Sequence, residues 1–242
     1  MSKTILITGA SRGIGRAVAV RFACEGFDII ITYKSNREAA EEAASLCMDA
    51  GAKSVMILQA DGTDFNSIDV IIDTVERSDV KLDCIVMNTG ITHRGSFEEL
   101  TIEDWNRVMT ANVSYPLFLL QRLLPFTKEE ASVIFTGSMM AVQPHGMSLP
   151  YGVTKSAVHS LVKNLVKHLE NYKIRINGIA PGFIDTEWQK AKPKEIRENI
   201  ERKIALHRFA LPEEVAGAYY FLYENKYING EIIEVSGGYC YK

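Results

Sequence analysis

The stretch Thr8-Gly9-Ala10-Ser11-Arg12-Gly13-Ile14-Gly15 decides the fold. An apolar, strand-forming run, Thr4–Thr8, leads into it. Behind it, residues 13–24 carry Ile14, Ala17, Val18 and Phe22 at the three-to-four spacing of a helix face. Glycine at 9, 13 and 15 lets a strand turn sharply into a helix. It also brings backbone N–H groups against a phosphate and lets the helix approach the sheet closely. The spacing is G-x-x-x-G-x-G and not the commoner G-x-G-x-x-G. A glycine-rich turn alone predicts little. Between the first strand and the first helix of an alternating chain, it predicts a seat for a dinucleotide pyrophosphate.

The alternation continues along the chain. Strands are predicted at Thr4–Thr8, Asp28–Thr32, Ser54–Gln59, Cys84–Met87, Val133–Thr136, Arg175–Ile179 and Ile232–Val235. They are nearly continuous Ile/Val/Leu runs, as strands buried on both faces should be. Helical patterns lie between them, notably Gly13–Cys24, Arg37–Ala50 and Tyr151–Leu169, the last with Ala157, Leu161, Leu165 and Leu169 at four-residue steps. The pattern predicts an α/β fold, a Rossmann-type doubly wound parallel sheet of about seven strands with helices on both faces. Residues 1–242 read as a single domain, with no linker and no repeat. The polar, helix-patterned segment 182–211, which contains Pro193, reads as a loop over the site.

Composition narrows the class. A chain of 242 residues with net charge −3 offers no cationic surface for nucleic acid or anionic membrane. No apolar run is long enough to span a bilayer. The four cysteines, Cys24, Cys47, Cys84 and Cys240, show no metal-ligand spacing, and no metal site is expected. They read as reduced thiols of a cytoplasmic protein, and the early first strand leaves no room for a signal peptide.

The second strand runs into Thr32-Tyr33-Lys34-Ser35-Asn36-Arg37. A site selective for NAD usually has an acidic residue here, accepting from the ribose 2′-hydroxyl. Its place is taken by Lys34, Arg37 and, from the first turn, Arg12, with Ser35 and Asn36 as donors. That suits a 2′-phosphate and favours NADP(H) over NAD(H). Lys34 and Arg37 can equally be solvated charges at a helix start.

A second constellation is Ser138, Tyr151 and Lys155. The last two are four apart on a helical pattern and share a face. A free tyrosine, with a pKa of about 10, is a poor acid-base group at neutral pH unless a cation such as the Lys155 ammonium lowers it. Ser138, just past a strand end, can donate to a carbonyl and to the oxyanion formed from it. Met139, Met140, Val142, Met147 and Leu149 follow and can line a pocket or fill core.

Gly9 to Gly15, Asn88-Thr89-Gly90, Asn112, Ser138, Tyr151-x-x-x-Lys155, Pro181-Gly182 and Gly237-Gly238, in that order, resemble the short-chain dehydrogenase/reductase family over essentially the whole chain. Residues 8–19, 177–187 and 229–239 look like the bacterial 3-oxoacyl-carrier-protein reductases of that family. The resemblance implies a Tyr151 general acid and a Lys155 that lowers its pKa, binds the nicotinamide ribose and relays protons. It implies an Asn112 that holds a relay water and a Ser138 that orients the carbonyl. It places Gly9, Ser11, Arg12, Gly13, Ile14, Gly15, Tyr33, Lys34, Ser35, Asp61, Gly62, Asn88 and Gly90 along the cofactor. Asp61 would meet the adenine and the backbone of Asn88 and Gly90 the adenosine ribose. Pro181, Gly182, Ile184 and Thr186 would hold the carboxamide end. It also implies a homotetramer built on helices near 101–128 and 151–170 and on the C-terminal strand. The apolar run Val113–Phe126 can serve that interface or the core.

Three positions depart from the family pattern. Thr89 stands where Ala is usual, and Gly62 where a branched apolar residue is usual. Lys128-Glu129-Glu130 is acidic where enzymes that meet an acyl carrier protein tend to be basic, with Lys173 and Arg175 able to compensate in part. The expected reaction is NADPH-dependent reduction of a 3-oxoacyl thioester or similar carbonyl, with acyl carrier protein as a candidate partner. Oxidation of a sugar, polyol or sterol alcohol by the same chemistry is the alternative. A non-catalytic dinucleotide binder would have lost part of the Ser/Tyr/Lys/Asn set, which is complete. His93 and His145 read as loop residues, Trp105 as core or interface, Trp188 as a cover for substrate, and Asp64, Asp69 and Asp73 as solvated helix charges.

Overall fold

The computed structural model describes residues 2–143 and 148–239. Its centre is a seven-stranded sheet in the order β3-β2-β1-β4-β5-β6-β7, every neighbouring pair parallel. The strands are β1 (Lys3–Ile7), β2 (Phe27–Tyr33), β3 (Val55–Gln59), β4 (Leu82–Met87), β5 (Thr127–Thr136), β6 (Arg175–Pro181) and β7 (Ile232–Val235). All seven expected strands are present, within two residues at their ends except for the start of β5.

Each central strand feeds two cores, because successive side chains point to opposite faces. Ile5 and Ile7 join one cluster, with Phe22, Phe27 and Tyr219; Leu6 joins the other, with Ile85, Leu119 and Val158. The first face is covered by α1 (Gly13–Cys24), α2 (Arg37–Asp49) and α9 (Pro212–Glu224). The second is covered by α3 (Ser67–Arg77), α5 (Tyr115–Leu123) and α6 (Leu149–Leu169). The second face also carries α4 (Ile102–Met109), which passes through a π-helical turn, Thr110–Ser114, into α5. No helix among the described residues is long and apolar enough to cross a membrane.

Segment 182–211 is helical, as its pattern suggested, and forms α7 (Glu187–Lys190) and α8 (Lys194–Lys203). Pro193 is the N-cap of α8, where a residue needs no intrahelical N–H. Met139, Phe183, Ile200, Ile204 and Phe209 form a small third core beneath it.

β5 begins at Thr127, earlier than expected, so Lys128, Glu129 and Glu130 lie within the strand. Lys128 pairs with Asp83 at 2.8 Å and Lys173 with Glu129 at 2.9 Å. Arg175 corrects an expectation outright. It is buried, and its guanidinium donates to the carbonyls of Leu222, Tyr223 and Ile228. A cation clamped on the last carbonyls of α9 satisfies the helix end. It is a structural tie and not a surface charge.

Candidate active site

The parallel sheet puts the carboxyl ends of β1, β4, β5 and β6 along one edge. In an open α/β sheet, ligands bind at this edge, where the strand order reverses. Here a cleft of about 420 Å³ runs along it. Gly9, Ser11, Arg12, Gly13, Ile14, Tyr33, Lys34, Asp61, Gly62, Asn88 and Gly90 line one part. Ser138, Tyr151, Lys155, Pro181, Gly182, Ile184 and Thr186 line the rest. Of the residues expected at the site, Gly15, Ser35 and Asn112 do not line it.

The first turn is tied from below. The Thr8 hydroxyl accepts the N–H groups of Asn88 and Thr89 at 2.9 and 3.0 Å, and the Asn88 amide donates to the carbonyls of Thr8 and Gly9 at 3.0 Å each. Gly9 and Gly13 have φ of +64° and +57°, conformations that a side chain resists. Gly15 serves close packing. A Cβ there would stand 2.6 Å from the Gly9 carbonyl oxygen and 2.6 Å from the Asn88 amide nitrogen. It lets α1 sit close on the turn without lining the cleft.

Among the cations expected for a 2′-phosphate, Arg12 and Lys34 line the cleft and Arg37 does not. Arg37 pairs with Glu41 at 2.8 Å, and Asn36 caps α2 by accepting the Ala39 N–H. Lys34 lies 2.8 Å from Asp61. Partial burial pushes the Asp61 carboxyl up, but hydrogen bonds from Lys34 and Thr63 outweigh it and hold the group below its usual range.

The departures at positions 62 and 89 are a single feature. A Cβ on Gly62 would stand 3.0 Å from the Thr89 methyl. The added methyl at 89 occupies space that a side chain at 62 would need.

At the other end, Thr136 is the hub. Its carbonyl accepts the Lys155 ammonium at 2.7 Å, and its hydroxyl bonds the Tyr219 hydroxyl at 2.7 Å. Lys155 is 3% exposed, and its nitrogen lies 5.5 Å from the centre of the Tyr151 ring. Burial brings its pKa down to about 8. Burial also pushes the Tyr151 phenol up to about 12, against the smaller effect of a hydrogen bond from Ser138. In the protein alone, burial thus outweighs that hydrogen bond, and Tyr151 is held as the neutral phenol. Ser138 accepts the Met140 N–H at 3.1 Å, which fixes its hydroxyl toward the cleft.

Asn112 is buried in the π-helical turn. Its amide accepts from Ile91 N–H at 2.8 Å and donates to the Ile91 carbonyl and the Thr154 hydroxyl, both at 2.9 Å. Such turns often mark functional sites. Thr154, fully buried, passes the link on to the Tyr151 carbonyl at 2.8 Å. Sequence reasoning missed this brace; its signal was a small hydroxyl residue directly before Lys155. It also missed Arg94 and Lys192, which line the cleft at this end. Trp188 packs edge-on against Tyr151 with ring centres 5.9 Å apart. His93 lies 3.4 Å from Asp104, outside the cleft lining. Trp105 is half-buried on α4; His145, Met147 and Cys240 fall outside the described residues.

Gly62→Val should lower stability by about 1–3 kcal/mol through overpacking against Thr89. Thr89→Ala in the same chain should recover most of that loss. Urea unfolding of the two single variants and the double variant checks it. Additive effects would show that the two positions are independent.

Residues 9–240 match the family model described as enoyl-(acyl carrier protein) reductase. The chain is 32% identical to an uncharacterized oxidoreductase of Bacillus subtilis, YmfI, over 99% of each chain. It is 31% identical to the 3-oxoacyl-[acyl-carrier-protein] reductase FabG of Staphylococcus aureus, over 98% of each. Among solved structures, a short-chain dehydrogenase from Burkholderia cenocepacia in complex with NADP superposes with a TM-score of 0.92 at 28% identity, again over 98% of each chain. With the parallel sheet, the glycine turn and the Ser/Tyr/Lys constellation in place, the chain belongs to the short-chain dehydrogenase/reductase family of oxidoreductases.

Proposed function

We propose that this protein uses NADPH to reduce a carbonyl to a secondary alcohol, and that a 3-oxoacyl thioester is its substrate. The supporting observation is the convergence of Ser138, Tyr151 and Lys155 at one end of a cleft whose other end is the glycine turn. The cleft fits the cofactor on its own chemistry. Gly9 and Gly13 leave backbone open to a pyrophosphate, Arg12 and Lys34 offer cations to a 2′-phosphate, and β2 ends without a carboxylate. Asp61 and Gly62 would border the adenine, Asn88 and Gly90 the adenosine ribose, and Pro181, Gly182, Ile184 and Thr186 the carboxamide. When bound, NADPH supplies the hydride.

The chain's own groups do the rest. Ser138 donates to the carbonyl oxygen and stabilises the charge that develops there. Tyr151 passes its phenolic proton to that oxygen. Lys155 favours the phenolate left behind, which offsets the burial that otherwise opposes it. A Cβ on Gly90 would stand 3.4 Å from the Lys155 nitrogen and 3.5 Å from Asn112 Oδ1. This neighbourhood lets Asn112 hold the water that returns a proton to Lys155. Segment 182–211 acts as the substrate loop, with Trp188 over Tyr151.

The thioester assignment draws support from Arg94 and Lys192. Both line the Tyr151 end of the cleft, and no ion pair ties either among the described residues. Burial and the charge of Arg94 lower the Lys192 pKa. Two cations there suit the phosphate of a phosphopantetheine arm. A carrier protein itself is less favoured, because Glu129 and Glu130 are exposed and Arg175 is buried. The same acidic corner keeps a sugar, polyol or sterol alcohol as the second reading. The free thiols at Cys24, Cys47 and Cys84 suit the reducing cytoplasm. Phe118, 45% exposed on α5 beside an exposed Phe65, suits a homotetramer interface.

Tyr151→Phe should abolish turnover of an acetoacetyl thioester and leave the NADPH dissociation constant within about twofold, because it removes only the proton donor. Retained turnover would refute the mechanism. The pH profile gives a second check. Reduction consumes a proton delivered through Lys155, so kcat/KM should be flat on the acid side and fall with unit slope above about 8. Tyr151, with its pKa near 12, stays protonated over that range. A profile that stays flat through the alkaline range would remove Lys155 from the relay.

A further inference from the structure

Tyr151 and Lys155 are followed on α6, one turn further along the same face, by His159. Its imidazole lies against the end of β5 immediately before Ser138. A Cβ on Gly137 would stand 2.2 Å from His159 Nε2 and 2.6 Å from Cδ2, so the ring occupies the notch that this glycine leaves. Nε2 faces the backbone N–H of Ser138, which donates to it over 3.4 Å. From the other side, the Gly137 N–H donates to the Ile179 carbonyl at 2.7 Å. One residue earlier, the Thr136 carbonyl accepts Lys155. Residues 136–138 are therefore held from α6 by a lysine and a histidine one turn apart, and from β6 by the strand ladder.

We propose that His159 is a positioning residue for Ser138: its neutral ring, with Nε2 as acceptor, holds the serine's backbone so that the hydroxyl meets Tyr151. The inference rests on the catalytic reading of Ser138 and Tyr151.

An accepting Nε2 requires the proton on Nδ1. Protonation of both nitrogens would set an imidazolium N–H against the Ser138 N–H, so the contact works only with the neutral ring. The surroundings favour that form. Burial, then the charges of Lys155 and Lys163, lower the His159 pKa to about 4. The side chain does not line the cleft, so it acts through Ser138 and touches no substrate. Loss of the acceptor would leave a buried N–H unpaired and let the 137–138 segment shift. A displacement of the oxyanion donor lowers kcat more than it lowers binding.

The test compares three substitutions with NADPH and an acetoacetyl thioester. His159→Leu fills the notch without an acceptor. It should lower kcat on the order of tenfold with KM for NADPH within about twofold, as expected for one unpaired buried donor. His159→Gln, whose amide oxygen can accept, should regain most of that loss. Ser138→Ala, run beside them, should lose activity outright. If Ser138→Ala stays active, the catalytic reading itself fails. If Ser138→Ala is inactive but His159→Leu turns over like the parent, only the positioning role fails. Long-range proton–nitrogen NMR of the unaltered protein at neutral pH is independent of how any variant folds. It should show His159 as the Nδ1–H tautomer; an Nε2–H tautomer overturns the proposal.

Discussion

A buried ammonium is the constraint around which the catalytic end is arranged. Lys155 is almost wholly out of water, and its 2.7 Å bond to the Thr136 carbonyl locks α6 onto the end of β5. A desolvated cation is costly unless neighbouring groups compensate for the lost water. The compensation here is a carbonyl at a strand end, the face of the Tyr151 ring and a pKa brought down to about 8. The same bond ties the helix that carries Tyr151 to the strand end that leads into Ser138. Lys155 thus positions the site, in addition to the proton relay proposed for it. Any group packed on the same helix face inherits a part in aligning the strand end.

The opposite end of the cleft obeys a different constraint, close approach of backbone. Asn88 laces the first turn, Gly15 lets α1 settle onto it, and Gly9 and Gly13 take up conformations closed to side chains. Thr186 reaches across from segment 182–211: a Cβ on Gly13 would stand 3.3 Å from its methyl. The beginning of segment 182–211 and the glycine turn are therefore in contact. The small core under α8 gives this segment packing of its own.

Much of this was legible in the sequence because the signals were periodic or chemically unusual. Strand runs of Ile and Val, glycine spacing and the Tyr-x-x-x-Lys step report on local geometry, and each expected strand is present. What stayed hidden depends on tertiary contact. The partner that Gly15 packs against is one example, since only the fold brings Asn88 to within 2.6 Å of its would-be Cβ. Arg175 looks like a surface cation at a strand start, yet α9 closes over it. His159 carries no signal of its own; its meaning comes from the notch at Gly137, which only the packing of α6 on β5 reveals. The effect of burial on Tyr151 was likewise invisible. The spacing identified a cation to lower its pKa but could not weigh that against desolvation.

The central claim is that this cleft transfers a hydride to a carbonyl carbon while Tyr151 delivers the proton. The most direct measurement uses NADPH carrying deuterium at both C4 positions, with an acetoacetyl thioester, and mass spectrometry of the product. The account predicts a 3-hydroxyacyl thioester with one deuterium on the carbinol carbon and an exchangeable hydroxyl proton from solvent. A product without deuterium at that carbon, or no reduced product from any carbonyl offered with NADPH, would contradict it.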